Sequence, residues 1–211
     1  MKMNFCSTVF AEEGKIIMGG KTNRERERIL AKARDLFFSY GYSKITMDEL
    51  AAELKMSKKT IYNIFASKRD LLDEVIKNHF KDIKEEIETQ LKREMSFQEM
   101  LKRLLLIINQ KTSLINIRAL DDIKKNSPDS WKMINKYRES FLQTRLKEIF
   151  QKGIREGVIK EGIPLELIVL VTMNLIRNIT PPELMALPYS FDQVLEMIIE
   201  IIIEGIIVRE E

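Results

Sequence analysis

Apolar side chains return every three to four residues along most of the chain, and no stretch keeps the two-residue alternation of a half-buried strand. Ile29, Ala33, Leu36, Phe37 and Tyr40 fall on one face of a helix that Thr22 can cap and Gly41 can stop in a left-handed conformation. Thr46 opens a second helix, with Glu49 three residues on to complete a capping box, and Leu50, Ala51 and Leu54 point inward. Ser57 caps a third, short helix that ends near Phe65. Ser67 caps a fourth, KRDLLDEVIKNHFKDIKEEIETQL, long enough to serve as a strut between two parts of the molecule. From Ser96 on, apolar runs fall at 97–108, 114–123, 131–154, 165–179 and 194–208, with breaks at 127–128, 157–164 and 180–188. The pattern predicts an all-α protein of about nine helices: three small ones, the strut and a larger helical bundle.

Composition agrees and removes several chemistries. The 45% hydrophobic content supplies a core, and eight glycines and five prolines among 211 residues leave room for long helices. The lone cysteine, Cys6, allows no intrachain disulfide and no Cys-based zinc site, which fits a reducing cytoplasm. With His79 the only histidine, multi-histidine metal sites and Ser-His-Asp triads are excluded. The net charge of +3 hides an asymmetry: residues 20–70 hold twelve Lys/Arg against seven Asp/Glu, a hint of a polyanionic partner at that end. The opening MKMNFCSTVFA is too short and polar for a persuasive signal peptide, and Met18 is a candidate alternative start. The closing VLEMIIEIIIEGIIV carries Glu196, Glu200 and Glu204 as one acidic ridge, which makes membrane spanning costly and marks a protein-facing helix.

The stretch MDELAAELKMSKKTIYNIF combines these signals. A helix-turn-helix crosses two helices steeply, so the crossing tolerates only a small side chain, and Ala51 is placed there over Leu50, Leu54, Met56 and Ile61. The outer face of the second helix is then free to enter a major groove about 12 Å wide. Thr46 and Ser57 offer hydroxyls to phosphates; Lys58, Lys59 and Thr60 project from the first turn, where base edges are reached; Tyr62 and Lys68 can reach phosphates. An ordinary helical hairpin with a solvated lysine face is the competing explanation.

Ala33, Leu36-Phe37, Gly41-Tyr42, Thr46, Leu50-Ala51, Ser57, Thr60-Ile61-Tyr62, Phe65 and Ser67-Lys68 followed by Leu71-Leu72 recur in an order and spacing that has a known counterpart. Residues 29–76 resemble the DNA-binding domain of the TetR family of bacterial transcriptional regulators. The resemblance implies a two-domain, all-helical homodimer whose C-terminal domain binds a small molecule and thereby weakens operator binding. Carried over position by position, it implies phosphate contacts at Thr46, Ser57, Tyr62 and Lys68, and base readers at Lys58, Lys59, Thr60 and Asn63. Three positions depart from the family pattern. Lys55 replaces a usual glycine, so either a lysine adopts the left-handed conformation or the turn differs. Lys59 replaces a small residue and adds a donor. Ile64 replaces a frequent polar residue and removes a phosphate contact. All three bear on which operator is read.

The second half is less explicit. The runs 165–179 and 194–208 are apolar over more than one face, so they either form a four-helix dimer interface centred near Ile202 or are buried within one subunit. Trp131, Ile134, Tyr137 and Phe141 form a stripe that Met100 and Leu104 of another helix can face. Such a stripe is plain core or the lining of an adaptable apolar pocket, and Met100, Leu104, Trp131, Tyr137 and Phe141 are the candidate pocket residues. Asn109, Asn116, Arg118, Asn174 and Arg177 read as cap, loop or interface residues, and His79 as a surface or interface residue of the strut.

The expected division is an N-terminal extension at 1–21, a helix-turn-helix domain at 22–68, and a ligand-binding and dimerisation domain at 69–211. The expected function is a sequence-specific DNA-binding regulator, a repressor released from a palindromic double-stranded operator by a small-molecule inducer. No catalytic residue, metal or cofactor is expected, and no membrane partner. A protein-interaction adaptor, or a helical enzyme with a non-functional helix-turn-helix, is the alternative; salt-dependent, sequence-specific DNA binding separates the first reading from both.

Overall fold

The computed structural model describes residues 20–178, 188–189 and 191–207. The described residues form nine helices: α1 (Gly20–Tyr40), α2 (Met47–Leu54), α3 (Lys58–Tyr62), α4 (Lys68–Leu91), α5 (Phe97–Ser113), α6 (Ile117–Asn126), α7 (Pro128–Arg155), α8 (Leu165–Asn178) and α9 (Phe191–Ile206). Their only extended pairing is an isolated antiparallel bridge between Ile159 and Ile207, beside which the Lys160 amide donates to the Ile206 carbonyl at 2.7 Å. Cys6, the Met18 start and the break at 180–182 lie outside the described residues.

The capping chemistry sets most boundaries. Thr46 and Ser96 each complete a capping box, with Glu49 and Glu99, while Ser57 and Ser67 accept the amides of Thr60 and Asp70. Pro128 opens α7 at a position where its missing N–H costs nothing. Two boundaries differ from the sequence expectation. Thr22 lies inside α1 rather than capping it, because the helix already includes Gly20. The third helix ends at Tyr62, short of Phe65, although the Asn63 and Phe65 amides still reach the carbonyls of Lys59 and Ile61.

Two apolar clusters organise the chain, and α4 belongs to both. The first joins Ile29, Ala33 and Phe37 of α1, Leu50 and Leu54 of α2, Ile61, Phe65, and Leu71, Leu72, Val75 and Ile76 of α4; Ile123 of α6 and Ile134 of α7 close it. The second gathers Ile83 and Ile87 of α4 with Leu101, Leu104 and Leu105 of α5, Leu146, Ile149 and Phe150 of α7, and Ile168, Val169 and Met173 of α8. Phe80 packs against both. The strut is therefore a shared wall, and displacing one end of it disturbs both cores.

Two residues sit differently from their sequence-based placement. His79 is buried, 6% exposed, with its ring edge-on to Phe38 at 5.1 Å. It stays in phase with Leu72, Val75, Ile76 and Ile83, so helical geometry turns it to α1. Ile202 is 8% exposed and faces its own subunit, whereas Ile201 is 71% exposed. The outward apolar face of α8 and α9 consists instead of Leu167, Leu170, Val171, Met197 and Ile201. The acidic ridge of Glu196, Glu200 and Glu204 is exposed, and Glu196 meets Lys102 at 3.5 Å. Among the described residues no helix is long and apolar enough to cross a membrane.

Candidate nucleic-acid interface

The helix-turn-helix is built from the inside out. Ala51 and Ile61 are buried between α2 and α3, and Met56 packs against the same core from the turn. Lys55 carries the turn in a left-handed conformation, φ 52° and ψ 44°, and its amide and that of Met56 cap the carbonyls at the end of α2. A lysine therefore does what a glycine does without strain, at a cost of about 1–2 kcal/mol. Anchoring this corner leaves the opposite face of α3 outward: Lys58, Lys59, Tyr62 and Asn63 are exposed, and Thr60 is half-buried.

The predicted phosphate contacts differ in how far their groups are already engaged. Thr46 receives the Glu49 amide on its Oγ1 at 3.1 Å, while Glu49 Oε2 accepts the Thr46 amide at 2.7 Å and lies 3.0 Å from its hydroxyl. The hydrogen bonds from the Thr46 amide and hydroxyl hold the Glu49 carboxyl below its usual range. Ser57 Oγ accepts the Thr60 amide at 3.0 Å and lies 2.8 Å from Thr60 Oγ1. Lys68 is half-buried with its ammonium 4.3 Å from the Tyr42 ring centroid. Burial lowers the Lys68 pKa, and the carboxylates of Asp122 and Glu49 oppose the shift.

Of the base readers, Lys58 pairs with Asp48 of α2 at 2.9 Å. Lys59, Tyr62 and Asn63 are exposed. The eight named residues run from the N-cap of α2 through α3 and its caps to the first residue of α4, six of them exposed and Thr60 and Lys68 half-buried.

Two contacts could not be read from helical periodicity because they join distant segments. Asp122 of α6 accepts the Ser43 amide at 2.7 Å and the Ser43 hydroxyl, and also the Asn126 side-chain amide at 2.8 Å. Burial pushes the Asp122 carboxyl up, but the bonds from Ser43, Asn126 and the Tyr42 backbone outweigh it and leave it lowered. Gly41, at φ +103°, is needed here, since a Cβ would come within 3.0 Å of Asp122 Oδ2. The second is the Asp48–Lys58 pair, ten residues apart across the turn.

The five candidate pocket residues do not converge on one place. Leu104 is fully buried in the second cluster, with Met100 and Phe141 at its edge. Tyr137 stacks on Phe80, centroids 5.3 Å apart, where the two clusters meet. Trp131 packs against the first cluster, with Lys124 over its ring at 5.9 Å. An open groove of about 600 Å³ at the α7–α8 turn is lined by Ile154, Ile159 and Ile163 with neighbouring loop residues, and by none of the five. Asn116 caps α6 by accepting the Arg118 amide at 2.9 Å, Asn109 is buried, and the Arg177 side chain lies outside the described residues. Among the described residues no group of three or more His, Cys, Asp and Glu could hold a metal ion.

Comparison with known proteins converges on the same N-terminal segment and extends beyond it. Residues 29–75 match the model of the bacterial regulatory proteins of the tetR family. The chain is 28% identical to the uncharacterized HTH-type transcriptional regulator YvaF of Bacillus subtilis, over 88% of this chain and 97% of that one. It is 25% identical to the fatty acid metabolism regulator protein of the same organism, over 66% and 73%. Among solved structures, a putative transcriptional regulator from Saccharomonospora viridis in complex with choline superposes with a TM-score of 0.75 at 21% identity, covering 89% of this chain and all of that one, 100%. The fatty acid degradation regulator FadR of Bacillus halodurans gives 0.67 at 15% identity, with 95% and 100% covered. These superpositions establish the fold.

Proposed function

Because residues 29–75 match the model of the bacterial regulatory proteins of the tetR family, we propose that this chain is a regulator of that family, acting as a symmetric dimeric repressor that leaves a palindromic operator when a small apolar molecule enters its C-terminal domain. DNA binding by a regulator of this family is the premise; repression, induction and dimer symmetry are the reading. The observation that carries it is the outward face of α3, where Lys58, Lys59, Tyr62 and Asn63 are exposed above a corner fixed by Ala51 and Ile61. Thr46, Ser57, Tyr62 and Lys68 then hold phosphates, and Lys58, Lys59, Thr60 and Asn63 read base edges. We keep residues 22–68 as the DNA-binding segment and 69–211 as the segment for ligand and partner subunit.

The apolar strip of Leu167, Leu170, Val171, Met197 and Ile201 supports a dimer, because monomers rarely leave such a surface exposed. Met100, Leu104, Tyr137 and Phe141, along the α5 and α7 walls, are the residues an apolar ligand would part; Trp131, held on the other cluster, would join them only through movement of α7.

A thermal-shift screen tests the ligand reading. The names of similar proteins suggest fatty acids and choline as the first panel. At least one binder should raise the melting temperature and release operator DNA at the same concentration. Binders that stabilise the protein yet leave DNA affinity unchanged would remove induction from the account.

A further inference from the structure

Lys58 is the first residue of α3 and one of the base readers proposed above, yet its charge is already matched. Its ammonium lies 2.9 Å from Asp48 Oδ2, a bond from the first turn of α2 to the first turn of α3. Both side chains are open to solvent, 46% exposed for Lys58 and 72% for Asp48. Lys59 beside it makes no ion pair among the described residues. The hydrogen bond to Asp48 raises the Lys58 pKa, so the lysine stays protonated while paired.

Within the DNA-binding reading above, we propose that Asp48 is a specificity-determining residue, which ties the Lys58 ammonium to the mouth of the groove and withholds it from random phosphates. Non-specific affinity comes from cations that neutralise phosphates. A lysine already neutralised by a neighbouring carboxylate adds little to it, and moving Lys58 to a phosphate leaves Asp48 unpaired beside a polyanion. A guanine edge differs, because its O6 and N7 lie at a fixed place in the groove. An ammonium has three donors, so Lys58 can keep one on Asp48 and give the others to the base. An exposed pair of this kind is weak enough to be shared in this way. Asp48 therefore filters contacts by position rather than by charge.

The experiment compares Asp48→Asn with the wild-type protein on two duplexes: a palindrome recovered by selection from random DNA, and its scrambled counterpart. The substitution lies on an exposed site, and an unchanged melting temperature verifies folding. Affinity for the scrambled duplex should rise several-fold, with a salt slope steeper by about one unit. Affinity for the palindrome should rise less, so the ratio between the two falls. In a Lys58→Ala background the same substitution should leave the ratio unchanged. A ratio untouched by Asp48→Asn, or lowered equally with and without Lys58, would overturn the proposal. Lys59→Ala and Lys68→Ala separate the two levels: if they weaken binding as expected, a negative result strikes Asp48 alone, and if neither affects any DNA, the interface reading falls with it.

Discussion

His79 is the residue whose burial has the most direct solution consequence. Burial pushes its imidazole down to about 4; Asp82 works against that shift, and Arg34 and Lys111 add to it. The folded protein therefore keeps His79 neutral while the unfolded chain protonates it below about 6.5. The stability this neutral ring contributes is complete above the unfolded value and is lost as pH falls towards 4, by about 3 kcal/mol in all. Denaturant titrations near pH 7.5 and pH 4.5 should show His79→Leu losing less stability on acidification than the wild type. An equal loss in both would mean that carboxylates such as Glu49, Glu99 and Asp122, which titrate low in the fold, carry the acid sensitivity. At this scale the sequence was only partly legible. The Thr46–Glu49 box is a local four-residue signal and appears as read. The Lys55 conformation was an open alternative that the left-handed φ resolves. Asp122 on Ser43 was out of reach, because nothing local links residues 79 positions apart.

At the scale of the element, α8 and α9 show what periodicity can and cannot assign. It marked both as too apolar for surface helices, but a helix buried on one side by its own subunit and on another by a partner gives nearly uniform hydropathy. Which residue faces outward then depends on rotation: Ile202, expected near the centre of the outward face, is buried, and its neighbour Ile201 is exposed. The same logic splits the α7 stripe. Trp131 and Phe141 stand about 80° apart around the helix and roughly 15 Å apart along its axis, enough to reach different clusters. The rotation of α9 has a measurable outcome. Ile201→Lys should yield folded monomers by sedimentation at micromolar concentration, whereas Ile202→Lys should lower the melting temperature first, since it buries a charge in the subunit core. A dimer unaffected by Ile201→Lys would place the subunit contact elsewhere.

At the scale of the molecule, two cores share one strut, and the contacts between them set how a ligand could be felt at the DNA. Phe80 touches both clusters, Arg69 of α4 meets Asp129 of α7 at 3.1 Å, and Asp122 of α6 holds the α1–α2 turn. A movement of α6 or α7 therefore reaches the residues proposed to grip phosphate, Lys68 among them. The central claim is that the outer face of α3 reads sequence while Lys68 supplies sequence-independent grip. Binding selection from random duplex DNA, performed in parallel with the wild type, Lys59→Ala and Lys68→Ala, tests it most directly. The wild type should enrich a palindrome whose half-sites lie about one helical turn, or a small multiple of it, apart. Lys59→Ala should alter preference within each half-site, since a good base contact discriminates by about 1–3 kcal/mol. Lys68→Ala should keep the same preference, bind every sequence less tightly and lower the salt slope by about one unit. A wild type that enriches no palindrome, or two variants that change preference identically, would contradict the account.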